Sequence, residues 1–174
     1  KVKKENLSEI EDAINKINSL LNKISNKNFD SIISQVFEKI EANKCEEMIN
    51  GLIENVFMKA VMQPTYCPIY VKLLNMMDDK YGIIDLINNK CLEYKSIIKE
   101  KKLVEDASMT EQEKYDLFCK LNKEKTYKAG YSQFIGELFK NNMITELTIK
   151  SSLSYFLDNL GKSIVEEPKG TYVE

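Results

Sequence analysis

The sequence predicts an all-helical protein arranged as a stack of antiparallel helix pairs. Three observations carry that prediction. Apolar residues recur at steps of three and four along most of the 174 residues, which is the period of one face of an α-helix. The chain holds only six glycines and three prolines and no tryptophan, too few turn-formers for a β-sandwich. The breaks between apolar stripes are short, and a short link folds neighbouring helices back on one another.

The first stripe runs through Ile10, Ile14, Ile17, Leu21 and Ile24, and Ser8 with Glu11 has the spacing of a capping box at its start. A polar break at 25–27 leads to a second stripe through Phe29, Ile32, Ile33, Val36, Phe37 and Ile40, which closes a hairpin. Beyond the polar residues 41–47, a third helix carries Met48, Ile49, Leu52, Ile53, Val56, Phe57, Ala60 and Val61. Pro64 and Pro68 end it, because proline lacks a backbone donor and pushes the preceding residue away from helix. Residues 63–67 therefore read as a fixed turn, with Pro68 in the first turn of a fourth helix through Ile69, Leu73, Leu74 and Met77.

Tyr81 and Gly82 close the second pair, and a fifth helix is predicted over 83–99 through Ile84, Ile87, Cys91, Tyr94 and Ile98. Residues 99–108 lose the period, gain charge and read as a loop. Thr110 and Glu113 supply a second capping box, for a helix through Tyr115, Phe118, Cys119 and Asn122. The chain then passes Gly130 into the stretch YSQFIGELFKNNM at 131–143. Gly136 interrupts it at a cost of about 1 kcal/mol relative to alanine. The expectation is that a neighbouring helix approaches closely there, with Phe134, Ile135, Leu138 and Phe139 filling the core. A last helix through Leu147, Ile149, Leu153, Phe156, Leu157 and Leu160 is expected to be capped by Gly161, leaving a polar tail at 165–174. The unit is thus a helix pair of about 40 residues, the period of HEAT-type solenoids, within one domain over 1–164. A four-helix bundle is the competing arrangement, but seven or eight short-linked helices exceed it.

A formal net charge of −2 excludes a global basic field that would pull the chain onto nucleic acid or an anionic membrane. Cys45, Cys67, Cys91 and Cys119 form no C-x-x-C pair, and no histidine completes a zinc site; they read as reduced thiols of an intracellular, cytoplasmic protein. No apolar run approaches the roughly 20 residues of a membrane span. The start at Lys1, with neither a methionine nor a signal-peptide core, reads as a piece excised from a longer chain.

Without histidine, a catalytic triad or imidazole base is excluded. The pairs Asp78-Asp79 and Glu46-Glu47 read as helix-terminus charges. No phosphate-cradling or nucleophile-elbow motif is present, so the sequence points to no catalytic residue, metal or cofactor. Lysines concentrate between 90 and 102 and between 114 and 128. Among them Lys123, Lys125 and Lys128, beside Tyr127 and Tyr131, form a candidate weak RNA-contacting patch. The same lysines, interleaved with Glu111, Glu113 and Glu124, also fit an ordinary solvated helix face.

Four strings identify a relative. Leu20-Leu21-Asn22-Lys23-Ile24-Ser25 with Phe29 resembles the LLNKLT-then-F opening of the middle domain of eukaryotic translation initiation factor 4G. Phe57-Met58-Lys59-Ala60, followed by Pro64, Tyr66 and Tyr70, resembles that family's IFxKAxxEPxFxxxYA hairpin, with the spacing kept. Asn88 with Cys91 and Glu93 resembles its NRCQxEF helix, and the run from Phe134 to Lys140 resembles its FIGELFK string. The matches are in order and span about 20 to 143, most of the chain.

The resemblance implies a scaffold that works by binding: it holds the DEAD-box RNA helicase initiation factor 4A, contacts mRNA, and joins a larger initiation complex through segments outside this chain. Family residues at the first helicase contact match Leu21, Ile24 and Phe29. These three also lie on predicted apolar faces, so packing of the first hairpin explains them equally well. The polar loop Ser25, Asn26, Lys27 and Asn28 is the more natural direct contact. Gln63 and Tyr66 are second candidates, since successive turns of a solenoid line up along one edge. The family's Thr-Pro is Ser25-Asn26 here, which keeps a helix cap and loses a rigid first turn. The family's second helicase contact comes from later helix pairs, which this chain is expected to lack, implying weaker binding and incomplete activation. Adaptors of the poly(A)-binding-protein-interacting, mRNA-decay and nuclear cap-binding types share the domain; the LLNK and FIGELFK strings favour the initiation branch.

Overall fold

The computed structural model describes residues 2–97 and 108–166, and every regular element among them is helical. In chain order these are α1 (Val2–Leu21), α2 (Phe29–Ala42), α3 (Glu46–Met62), a single 3-10 turn (Pro64–Tyr66), α4 (Cys67–Tyr81), α5 (Ile84–Ile97), α6 (Glu111–Lys140) and α7 (Glu146–Glu166). Of the expected loop at 99–108 only Ser108 is described, the expected tail at 165–174 is described only to Glu166, where it continues α7, and Ile98 and the side chains of Tyr94, Phe156 and Leu160 lie outside the described residues.

Proximity of helix ends defines the stack. Lys59 near the end of α3 hydrogen-bonds Asn22 just beyond the end of α1, so these two helices run the same way. Tyr81 at the end of α4 donates to the Glu41 carboxylate near the end of α2 at 2.8 Å, so α2 and α4 also run together. Each pair is antiparallel within itself, α1 with α2 and α3 with α4, and successive pairs repeat in parallel: a HEAT-like solenoid. Beyond the second pair, α6 packs on both α3 and α4, while α5 packs on α7. One continuous core, from Ala13 on α1 to Ile144 before α7, joins the layers.

The predicted stripes of α1 to α4 are the buried faces, and the turns between them obey the expected chemistry. Pro68 occupies the first turn of α4. Gly82 closes α4 in the left-handed conformation, φ 64°, donating its N–H to the Asp78 carbonyl at 2.8 Å. The Thr110–Glu113 capping box forms in both directions at the start of α6.

Several expectations are corrected. Helix α1 starts at Val2, so Ser8 lies inside it and not at its start. Helix α7 continues through Gly161 to Glu166, so Gly161 is an interior residue. The close approach expected at Gly136 occurs at Gly130. A Cβ on residue 130 would sit 1.9 Å from the Val61 carbonyl oxygen, whereas one on residue 136 meets nothing within 4 Å. Gly130 thus lets the backbones of α6 and α3 touch, and α6 runs through both glycines unbroken. Phe134, Ile135 and Leu138 fill the core as expected, with the Phe134 ring edge-on to Phe57 at a centroid distance of 4.7 Å, but Phe139 faces solvent.

Helix α7 is rotated from its predicted face. Ile149 of the predicted face packs on the core, but Thr148 and Ser152 are buried while Leu147, Leu153 and Leu157 are exposed. The reason is a polar anchor. Asn88 on α5 accepts from the Thr145 N–H at 3.0 Å and the Thr148 hydroxyl at 2.7 Å, and its amide donates to the Ile84 carbonyl at 2.8 Å. These bonds turn the threonine side of α7 inward. Tyr115 and Phe118 on the first half of α6 are likewise exposed, because α6 meets the core through its second half.

Candidate partner-binding edge

The α1–α2 connection is folded by one side chain. The Asn28 amide oxygen accepts from the Ser25 N–H at 2.7 Å and the Ser25 hydroxyl at 3.0 Å, while its NH2 donates to the Lys23 carbonyl at 2.8 Å. Asn28 is the residue that precedes α2, and because its side chain is spent on the loop it makes no cap bond to the helix. Ser25 is not a helix cap either, contrary to the expectation; its role is to hold Asn28. The outcome is a compact loop whose Asn26 and Lys27 side chains project into solvent.

Leu21, Ile24 and Phe29 are 1%, 4% and 4% exposed, so they are packing residues that fix the loop from beneath. Asn26 and Lys27 are exposed on the outside of the loop, and these three side chains lie beneath it.

The α3–α4 turn is held with equal definition. Gln63 follows α3 and donates its N–H to the Lys59 carbonyl at 2.9 Å, and Tyr66 N–H closes on the Gln63 carbonyl at 2.9 Å. The Gln63 side chain accepts from the Tyr70 hydroxyl at 2.8 Å. Burial, with the neighbouring Tyr66 adding to it, pushes the Tyr70 phenol up to about 12, so it stays protonated as that donor. Gln133 on α6 donates from its amide to the Pro64 carbonyl at 2.9 Å, bracing the turn from the next layer. Tyr66 remains 43% exposed, beside Met62 at 45%.

The two turns share an edge. Lys59 joins Asn22 across α1 and α3, and a groove lined by Asn26, Phe29, Pro68, Ile69 and Lys72 runs between the loop and the start of α4. The Lys72 ammonium lies 4.0 Å from the centroid of the Phe29 ring. All nine residues singled out from sequence therefore belong to one structural neighbourhood, six at the two turns and three beneath the loop. Lys72, Gln133 and the organising role of Asn28 were missed. No periodicity links residue 133 to 64 or residue 72 to 29; only the stacking of helices does.

Lys123, Lys125 and Lys128 do not converge in the same way. Lys123 and Lys125 are exposed on the first half of α6 and Lys128 is half-buried on the second, and the 3.6-residue turn sets Lys123 roughly 140° round the helix from Lys128. Among the described residues no group of three histidines, cysteines or carboxylates comes together, and no helix is long and apolar enough to cross a membrane. Burial pushes the thiols of Cys67 and Cys91 up to about 12, and no two of the four cysteines are joined.

Comparison with known proteins places this architecture. Residues 14–174 match the model of the MIF4G domain. Eukaryotic translation initiation factor 4G of Arabidopsis thaliana is 26% identical over 159 residues, covering 81% of this chain and 9% of the plant protein. The protein of the same name from Triticum aestivum is 29% identical over 159 residues, covering 82% of this chain and 10% of the relative. Eukaryotic translation initiation factor 4 gamma 3 of Homo sapiens is 28% identical over 173 residues, 87% of this chain and 11% of the human protein. The chain thus spans about a tenth of the length of these relatives. With a family model matching nearly all of it and a HEAT-like stack of helix pairs behind that match, the chain belongs to the MIF4G domain family.

Proposed function

We propose that this domain is a translation-initiation scaffold module in the cytoplasm, and that its edge at 25–28 and 63–66 holds the DEAD-box RNA helicase initiation factor 4A. The supporting observation is that the two turns singled out from the sequence stand side by side, each locked before any partner arrives, by Asn28 in one case and by Gln133 and Tyr70 in the other. A pre-ordered surface loses little conformational entropy on binding, which favours its use as a docking edge. The domain acts by binding, not catalysis. The initiation reading stands ahead of the mRNA-decay, nuclear cap-binding and poly(A)-binding-protein-interacting adaptors because the relatives found are initiation factors 4G. Contact with mRNA through Lys123, Lys125 and Lys128 is the weaker part of the proposal, given their spread around α6.

The test is capture of the helicase by the domain and by an Asn26→Ala, Lys27→Ala, Tyr66→Ala variant. All three side chains are exposed and make none of the bonds that fold the turns. Lost capture with unchanged helicity by circular dichroism supports the edge. Full capture by the variant moves the site elsewhere, and no capture by the parent domain removes the helicase from the account.

A further inference from the structure

The two edges of the solenoid carry opposite charge. The segments that build the candidate edge, residues 22–30 and 59–72, hold Lys23, Lys27, Lys59 and Lys72 against one acid, Asp30. The segments that build the other edge, residues 38–49 and 78–86, hold seven acids against three lysines. Of those three, Lys80 is paired with Glu41 at 2.8 Å. The first edge therefore carries an excess of three positive charges and the second an excess of four negative ones. At the centre of that edge is the groove of Asn26, Phe29, Pro68, Ile69 and Lys72. The Lys72 ammonium is held over the Phe29 ring, and no carboxylate among the described residues pairs with it.

We infer that this groove receives an acidic protein surface, with Lys72 as the residue that selects for it and the surrounding lysines steering its approach. The inference rests on the helicase reading above and adds what that reading leaves open: the chemistry of the partner's face and the residue that reads it. The argument for the occupant is charge complementarity. Lysines on the rim of a rigid groove raise the rate of encounter with an acidic surface and disfavour a basic one, and the attraction weakens as salt rises. The aromatic ring under Lys72 holds the ammonium in place by cation–π attraction, so the charge is presented at a fixed position and not on a free side chain. The apolar neighbours Pro68 and Ile69 offer contact to an aliphatic side chain next to the partner's carboxylate.

The experiment is titration of the domain against the helicase at about 50 and 300 mM salt. It uses the parent, Lys72→Glu, Lys72→Gln, and Lys44→Glu at the opposite edge as a control with the same change in net charge. The expected result is an affinity at low salt that falls at least tenfold in Lys72→Glu, falls less in Lys72→Gln, is little changed in Lys44→Glu, and has a shallower salt dependence in Lys72→Glu than in the parent. Melting curves accompany each variant; Lys72 is exposed, so a folded Lys72→Glu protein is expected. Salt-insensitive binding by the parent overturns the inference while leaving the helicase reading intact, as does equal loss in Lys72→Glu and Lys44→Glu. A Lys72→Glu variant that keeps the helicase but loses a single-stranded RNA probe overturns it in favour of nucleic acid. A parent that binds no helicase overturns both readings.

Discussion

Replacing Gly130 by alanine tests the packing of the stack at the point where it is tightest. The added Cβ would lie 1.9 Å from the Val61 carbonyl oxygen. Comfortable contact needs about 3.5 Å, so α6 and α3 must separate by roughly 1.5 Å. The obstacle is backbone, which no side-chain rotation can relieve. Separation on that scale also pulls apart the edge-on Phe57 and Phe134 rings, worth about 0.5–1.5 kcal/mol beyond their burial. Overpacking of this kind costs about 1–3 kcal/mol or more, against which alanine returns about 1 kcal/mol of helix propensity. A net loss of about 2 kcal/mol corresponds to a fall of ~4–8 °C in Tm for a domain of this size. Gly136→Ala is the matched control, because its Cβ enters open space and its Tm should rise by ~2–4 °C. Circular dichroism melts of the two variants decide the matter. A Gly130→Ala protein as stable as the parent, or a Gly136→Ala protein destabilised to the same degree, would refute the assigned contact.

Three further outcomes follow from the same geometry. Asn88→Ala should cost about 1–2 kcal/mol by urea unfolding, since it removes two hydrogen bonds at the α5–α7 junction while the Thr148 hydroxyl keeps Thr145 Oγ1 and the exposed Thr145 N–H turns to water; an unchanged urea midpoint would contradict it. Tyr131→Phe removes the 2.6 Å bond from its buried hydroxyl to the Cys91 carbonyl and should lower stability by about 1–2 kcal/mol, an effect that an unchanged urea midpoint would disprove. Stability should fall at alkaline pH. The thiols of Cys67 and Cys91 are pushed up by burial to about 12 in the folded protein while the unfolded thiols ionise near 8.5, so their contribution is complete below that pH and is lost progressively as pH rises towards 12. Urea midpoints taken from pH ~7 to ~10.5 check this, and a flat profile would contradict it.

How much of this was legible in the sequence depended on how local each cause is. The apolar faces of the first four helices and the proline turn between α3 and α4 follow from apolar period and proline chemistry, both read over a few residues, while the start of α1 and the way Asn28 folds the α1–α2 loop do not. The Thr110–Glu113 box is equally local. Gly130 and Gly136 show the limit. Both are glycines in one helix, and only the position of Val61, almost seventy residues away, tells which one needs to lack a side chain. Helix α7 failed for a related reason: its leucines made the stronger stripe, but the Asn88 bonds to Thr145 and Thr148 set its rotation. At the edge, Leu21, Ile24 and Phe29 were found through family strings that do not distinguish a contact from a support. All three are buried. The charge contrast between the two edges was present in the sequence, yet invisible until the stacking order assigned each turn to its side.

The most direct test of the docking edge is amide hydrogen exchange of the domain with and without the helicase. The account predicts added protection confined to 25–28, 63–66 and the start of α4, with the opposite turns at 43–45 and 82–83 unchanged. Protection centred on those opposite turns, or on α7, in a complex that does form would contradict it.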